Sequence, residues 1–184
     1  MREKIKKNFF GFTLIEFVVY ISVASLILIA LISFTLAILN MRQKQLAYQE
    51  VRENGAFILK EMLYQIENAQ SIVKEDSVFD TNPGVLKLTT PSGEEIVFDT
   101  QEREIDLGGK SIFLRSLRMK EGDSEPVFIS TKQVNVKNIV FKNLSPGEEV
   151  RNIQINLSLE FINPEKEKSY QAELSWQTSA NLRL

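Results

Sequence analysis

An uncharged apolar segment from Phe17 to Leu39, directly after Glu16, constrains this chain more than any other feature. The 28 residues from Phe12 to Leu39 contain neither proline nor glycine. As an α-helix with a rise of 1.5 Å per residue they would extend roughly 42 Å, whereas the hydrocarbon core of a bilayer is about 30 Å thick. The segment therefore predicts one helix that crosses a membrane with some tilt.

The charges on either side of this segment predict its orientation. Four basic residues and one acid precede it: Arg2, Lys4, Lys6, Lys7 and Glu3. The nearest cations after it are Arg42 and Lys44. Because loops rich in Lys and Arg stay on the cytoplasmic side, we expect the amino terminus in the cytoplasm and the rest of the protein outside it.

Glu16 is an acid at the head of a membrane-length helix. A carboxylate costs about 2.5–3.5 kcal/mol at the bilayer centre, so such a residue needs a partner or a function. Gly11 and Phe12 precede Glu16 by a few residues and follow the basic run. In this setting the hexapeptide Gly-Phe-Thr-Leu-Ile-Glu resembles the processing site of type IV prepilins and pseudopilins.

The resemblance implies a specific maturation. A dedicated prepilin peptidase in the membrane would cut after Gly11 and methylate the new amino terminus at Phe12. Glu16 would become the fifth residue of the mature chain, the charged position used in filament assembly, and Thr13 is expected to assist by hydrogen bonding near the terminus. The implied domains are a leader (1–11), a transmembrane and filament-core helix (12–40) and an extracytoplasmic head (41–184).

Two other interpretations account for part of the pattern. A secretory signal peptide has an apolar region of about 7–15 residues before a small-x-small cleavage site. Ser22-Val23-Ala24 imitates such a site, but the strong hydrophobicity continues past it to Leu39. The second alternative is an uncleaved signal anchor in which Glu16 is tolerated near the membrane interface and Gly11 has no role.

The helical pattern continues beyond the membrane segment. Apolar or small residues recur at spacings of three and four, which is typical of a helix with one buried face: Val51, Gly55, Ile58, Met62, Ile66, Ala69 and Val73. We therefore predict one continuous helix from about Phe12 to about Ile72. Gly55 costs about 1 kcal/mol relative to alanine inside a helix, and close approach of a strand would compensate it.

After Val73 the pattern changes to the period of two that is typical of strands. Two hairpins are predicted, one around Pro91–Glu94 and one around Gly108-Gly109. The predicted strands are 85–90, 95–100, 103–107, 111–117, 127–130, 134–144, 151–162 and 168–178. We expect the single tryptophan, Trp176, to anchor the core.

The predicted fold class is therefore α+β, with one long amino-terminal helix whose second half packs on an antiparallel β-sheet. This order again resembles the type IV pilin fold, a lollipop in which the helix carries the sheet at its outer end. Two further segments are similar to the larger minor pilins and minor pseudopilins, Met62–Ala69 and Trp176–Leu182. They favour a minor subunit over a major one.

The composition excludes several kinds of chemistry. The chain has neither His nor Cys, so Ser-His-Asp and Cys-His arrangements and the usual zinc ligand sets are unavailable. The acid pairs Glu94-Glu95 and Glu148-Glu149 fall in turns, and segments 122–125 and 163–165 lack EF-hand spacing. No phosphate-binding loop is present. We expect no enzyme activity, no cofactor and no metal.

The expected function is that of a structural subunit of a type IV pilus or of a type II secretion-like filament. Its partners would be the prepilin peptidase, other pilin or pseudopilin subunits and an inner-membrane assembly platform driven by a separate ATPase. The alternative is a membrane-anchored or tip-located binding module for adhesion or DNA uptake. A net charge of −2 does not favour a general nucleic-acid binder, and which machine the chain serves stays open.

Overall fold

A computed structural model describes Gly11, residues 13–164 and residues 170–183. Its elements are one helix followed by eight strands. Their bounds are α1 Leu14–Asn68, β1 Ser71–Ile72, β2 Leu86–Thr89, β3 Glu95–Leu107, β4 Lys110–Glu121, β5 Val127–Phe128, β6 Val134–Asn143, β7 Asn152–Phe161 and β8 Glu173–Asn181. The predicted α+β class, one long amino-terminal helix with antiparallel strands, is confirmed.

The helix is a few residues shorter than predicted at its carboxyl end. It ends at Asn68, and Ser71–Ile72 instead pairs with Leu88–Thr89 as the strand β1. Ile72 is buried in that strand, so its apolar character fitted the helical pattern and the sheet equally well. The other predicted boundary, Phe12, lies outside the described residues.

The first sheet has the order β1-β2-β3-β4-β5 and is antiparallel throughout. Both predicted hairpins are confirmed. Gly108 and Gly109 form the turn of the second one with φ values of 63° and 87°, a conformation that glycine adopts without strain. The segments predicted as two strands, 95–100 and 103–107, are one continuous strand, β3, which takes part in both hairpins.

The second sheet has the order β6-β7-β8, again antiparallel. Its central strand β7 alternates as predicted, with Ile153, Ile155, Leu157 and Leu159 fully buried. The strand β8 begins at Glu173, and the predicted start at Lys168 lies outside the described residues. The division of the strands into two sheets was not predicted, because period two assigns a residue to a face and not to a sheet.

The chain forms two compact units, Met1–Arg42 and Gln43–Leu184. The core of the second unit joins the carboxyl-terminal part of α1 to both sheets. The predicted stripe on α1 is confirmed from Val51 to Ala69, because these residues are buried, whereas Val73 is half-buried beyond the end of the helix. Each large apolar side chain buried here contributes about 1.5–3 kcal/mol relative to exposure.

At Gly55 the helix α1 contacts the side chain of Trp176 on β8. A Cβ atom at this position would lie 2.5 Å from Cζ2 and 2.6 Å from Cζ3 of Trp176. The indole ring, half-buried against the core, therefore occupies the space that any other residue at position 55 would need. The close approach of a strand to Gly55 and the role of Trp176 as a core anchor are both as predicted.

Two polar attachments hold the same part of α1, and neither was predicted. Buried Asn54 donates to the carbonyl of Glu50 at 2.9 Å and accepts a hydrogen bond from the Thr131 N–H at 3.0 Å. Near the end of the helix, the carbonyl of Glu67 accepts a hydrogen bond from the Arg183 N–H, and the two side chains form an ion pair at 2.6 Å. These bonds fix the helix on the sheets at two points.

The second unit should fold without the apolar part of α1, since its core is built from its own residues. A fragment starting at Met41 is expected to be soluble and monomeric, to unfold cooperatively and to show blue-shifted emission from Trp176, its only tryptophan. Thermal unfolding followed by fluorescence measures the cooperativity of the transition and the emission of Trp176. Emission typical of an exposed tryptophan, without a cooperative transition, would show that this unit needs neighbouring chains to fold.

Candidate functional site

The predicted site residues lie together at the amino-terminal end of α1. Thr13 caps the helix: its carbonyl accepts a hydrogen bond from the Phe17 N–H at 3.1 Å, and its Oγ1 accepts one from the Glu16 N–H at 3.3 Å. A threonine whose side chain binds the N–H three residues later is an N-cap, which stabilises a helix by about 1 kcal/mol. Thr13 and Glu16 thus have the spacing of a capping box.

The capping role of Thr13 was not predicted, and the role that was predicted for it, near the cleaved terminus, stays a prediction. The sequence analysis assigned Thr13 a hydrogen bond near the cleaved terminus, and the structure shows that its hydroxyl oxygen binds the first turn of its own helix. The signal was present, because Thr-x-x-Glu before an apolar run is itself an indication of a helix start.

Glu16 lies in the first turn of α1 and is exposed. Its carboxylate has no hydrogen-bond or ion-pair partner among Gly11, residues 13–164 and residues 170–183. The helix dipole favours an acid at this position by about 0.3–1 kcal/mol. This small gain does not offset the cost of placing a carboxylate in an apolar environment.

Gly11 is exposed, and a Cβ atom added to it would meet no other atom within 4 Å. Phe12, the predicted methylation site, lies outside the described residues, as do residues 1–10 of the predicted leader. The structure thus brings Gly11, Thr13 and Glu16 to one helix end.

The apolar part of α1 is exposed. Its large apolar side chains from Leu14 to Leu39 range in exposure from 48% at Ile38 to 83% at Leu14. The helix is long and apolar enough to cross a membrane. A surface of this kind is stable only in lipid or against other apolar surfaces.

Three hydroxyl side chains within this part of α1 are satisfied inside the helix. The hydroxyls of Ser22, Ser25 and Thr35 each donate to the carbonyl four residues earlier, at 2.7–2.8 Å. They therefore need no partner in lipid. From Leu14 to Met41 the sequence carries a single charged residue, Glu16.

The described part of the second unit contains open grooves on its surface. One of them has a volume of about 640 Å³ and is lined partly by Phe113, Pro164 and Glu160, whose carboxylate accepts a hydrogen bond from Asn135 at 2.8 Å. The acid pairs of the sequence are exposed and lie in or beside turns, as predicted, with Glu95 at the start of β3. Within the described part of the chain, no three acidic side chains are grouped so as to hold a metal ion.

No protein-family model, curated protein or solved structure matches this chain. What its structure establishes is an α+β protein with one long, apolar amino-terminal helix, antiparallel sheets and a helix start at which Thr13 and Glu16 are adjacent. This is the order of elements expected of a pilin-like chain.

Proposed function

We propose that this protein is a minor pilin or pseudopilin, a non-enzymatic structural subunit of a type IV pilus or type II secretion-like filament. One observation carries the proposal: the first turn of α1 holds an acid, Glu16, without a partner among the described residues, and the helix continues as an exposed apolar surface. Both features require other molecules. The apolar surface needs lipid or neighbouring helices, and the carboxylate needs a cation.

The steps of the proposed function follow from these two needs. The precursor is inserted in the inner membrane with its amino terminus in the cytoplasm, since the basic residues precede the helix. A prepilin peptidase removes residues 1–11 and methylates Phe12. The mature chain then leaves the bilayer for a bundle of like helices, in which apolar contacts with other subunits replace those with lipid.

Cleavage supplies the cation that Glu16 lacks. The new amino terminus at Phe12 is an ammonium group even when methylated, and it must leave water when the helix enters an apolar bundle. A buried ion pair tolerates this transfer far better than either charge alone. In the proposed mechanism Glu16 of one subunit meets the amino terminus of a neighbouring subunit, and an inner-membrane platform with a separate ATPase supplies the work.

Intact-mass measurement of the membrane-extracted protein tests the proposal directly. We expect loss of residues 1–11 and gain of one methyl group on Phe12. In the variant Gly11→Val the precursor mass should persist. Because a Cβ at Gly11 meets nothing in the chain itself, this block would reflect the peptidase and not a folding defect.

Two outcomes of this measurement contradict the proposal. A mature protein that begins after Ala24 would identify a secretory signal peptide. A protein that keeps residues 1–11 in cells with an active prepilin peptidase would identify an uncleaved anchor.

A further inference from the structure

The strand β8 leaves one sheet edge open along its whole length. On its inner side the Leu182 N–H donates to the Arg151 carbonyl, and the Phe161 N–H donates to the Ala172 carbonyl. Backbone groups alternate in direction along a strand, so those of five residues must point away from β7: Glu173, Ser175, Gln177, Ser179 and Asn181. None of these groups has a hydrogen-bond partner within the described parts of the chain, and all five residues are exposed.

The opposite edge of the same sheet is covered. Along β6 the carbonyl of Phe141 accepts a hydrogen bond from the Asp80 N–H, and the carbonyl of Ile139 accepts one from the Gly84 N–H. The side chain of Asn82 binds the Ile139 N–H at 3.1 Å. The loop between β1 and β2 therefore supplies the partners that a further strand would supply, and only the β8 edge of this sheet stays open.

The first sheet also has an exposed edge, but that edge carries charges. β2 pairs with β3 only as far as Phe98, and beyond this point the outward-facing residues of β3 include Glu102, Glu104 and Asp106. Charged side chains along a free edge oppose the addition of another strand. This edge is thus protected in the usual way.

In the described part of the chain, the β8 edge has neither a covering loop like that on β6 nor a row of charged side chains like that on β3. From Leu174 to Asn181 the strand has no charged residue and no proline, and its register with β7 is uninterrupted. Its one acid, Glu173, is paired with Lys137 at 2.7 Å, and this hydrogen bond raises the pKa of Lys137 above its ordinary value. A long, neutral edge of this kind is the surface to which extended peptides add as a further strand.

The two faces beside this edge define the chemistry of the strand that would fit. On the outer face the opposed pairs of β7 and β8 are amides and hydroxyls: Asn152 and Asn181, Gln154 and Ser179, Asn156 and Gln177, and Ser158 and Ser175. On the inner face Leu174 and Trp176 are only half-buried against the core. A matching strand has uncharged polar residues on one face and apolar residues on the other.

A second copy of β8 at this edge would reverse the direction of the packed part of α1. Two copies joined by antiparallel β8 strands are related by a two-fold axis perpendicular to the shared sheet. That axis reverses every direction in the plane of the sheet. Because α1 packs along the sheets from Ala47 to Ile66, the helices of the two copies would run in opposite directions. The choice of a different protein as the partner therefore rests on the proposed function, in which the subunits of one filament carry this part of α1 in the same direction.

We infer that the outer edge of β8 is a docking site for an extended, uncharged strand of a different protein, which joins the sheet by backbone hydrogen bonding beside Gln177. The incoming strand alternates apolar residues, which contact Trp176 and Leu174, with amide or hydroxyl residues, which extend the ladder on the outer face. The site is built from the second unit alone, so it does not depend on how the precursor is processed.

A peptide with the sequence of Asn152–Leu159 serves as the probe, because this uncharged part of β7 already satisfies the pattern on the other edge of β8. The full-length chain in detergent is titrated with the labelled peptide. Fluorescence anisotropy should show saturable binding, and the emission of Trp176 should shift to the blue as the added strand covers it. The control peptide carries N-methyl groups on alternate residues, which removes the donors that face β8.

Variants of the protein test the same edge. Gln177→Pro removes an N–H that points away from β7, so it should leave the β7–β8 ladder and the near-UV spectrum unchanged but weaken binding by about tenfold or more. Gln177→Lys should weaken binding as well, because the ammonium must lose water when a strand arrives. The matched control Asn156→Lys places the same charge opposite Gln177 on a fully paired strand and should bind normally.

Three outcomes overturn the inference. The first is that the probe peptide shows no saturable binding to the unchanged protein. The second is that it binds Gln177→Pro as tightly as the unchanged protein, or that the N-methylated peptide binds as tightly as the probe. The chain has no cysteine, so Gln177→Cys introduces a unique thiol. The third outcome is a disulfide between two such chains in detergent, which would show that a second copy occupies the edge.

Discussion

Replacing Glu16 with leucine is expected to leave the protein folded and cleaved but absent from filaments. After cleavage the amino terminus at Phe12 is a cation that must enter an apolar bundle of helices. Removing one partner of a buried ion pair costs about 3–5 kcal/mol, because the other charge is then buried alone. This corresponds to a reduction in incorporation of more than a hundredfold, so processed Glu16→Leu protein should accumulate in the inner membrane.

The measurement compares the ratio of this chain to the other subunits in sheared filaments and in membranes, together with the intact mass of the membrane fraction. Glu16→Gln keeps the size and the capping geometry of the side chain but not its charge, and it should fail in the same way. Thr35→Val is the matched control, since it alters a residue of the same helix whose hydroxyl is satisfied internally, and it should assemble normally.

The variant Thr13→Val separates capping from charge pairing. Loss of the N-cap should destabilise the first turn of α1 by about 1 kcal/mol and lower assembly only in part. If Glu16→Leu protein enters filaments at the natural ratio, the charge-pairing mechanism is wrong for this chain. The chain would then be held by its apolar helix alone or would occupy a tip position without a subunit above it.

The sequence was sufficient to predict the long helix and the hairpins because these depend on local signals. Apolar spacing of three and four identified the buried face of α1, and glycines at positive φ marked the turn at Gly108-Gly109. The strand β1 was missed because it directly follows the helix and its buried residue Ile72 fits the helical pattern as well as the sheet. The attachment of Asn54 to Thr131 was missed because it joins residues 77 positions apart, and such a bond depends on the fold as a whole.

The candidate site was predictable to a similar degree. The order of Gly11, Thr13 and Glu16 and the apolar segment after them are properties of one continuous stretch, so the sequence alone could identify them. The capping role of Thr13 required the observed geometry. The open edge of β8 could not be predicted, because it depends on which strand lies last in the second sheet and on the loop that covers β6.

Replacing Gly55 with alanine is expected to destabilise the second unit, although alanine is the better helix former. Alanine gains about 1 kcal/mol in helix propensity at an interior position. The new Cβ would overlap the indole ring of Trp176, and forcing extra volume into a packed core costs typically 1–3 kcal/mol. Because this contact is very close and the ring is held between α1 and the core, we expect the packing cost to exceed the gain by about 1 kcal/mol.

A double-mutant cycle with Trp176 tests this prediction. The effect of Gly55→Ala on the free energy of unfolding should change sign when the ring is removed. When Trp176→Leu removes the ring, Gly55→Ala should stabilise the protein by about 1 kcal/mol, because only the propensity gain remains. The exposed neighbour Ala56 is the control: Ala56→Gly should cost about 1 kcal/mol whether or not Trp176 is present. The free energies come from denaturant unfolding of the full chain in detergent, followed by circular dichroism because the tryptophan is itself changed. Should Gly55→Ala stabilise the protein equally with tryptophan and with leucine at position 176, the glycine would not be required by the close approach of β8, and the packing of the helix on the second sheet would differ from the one described.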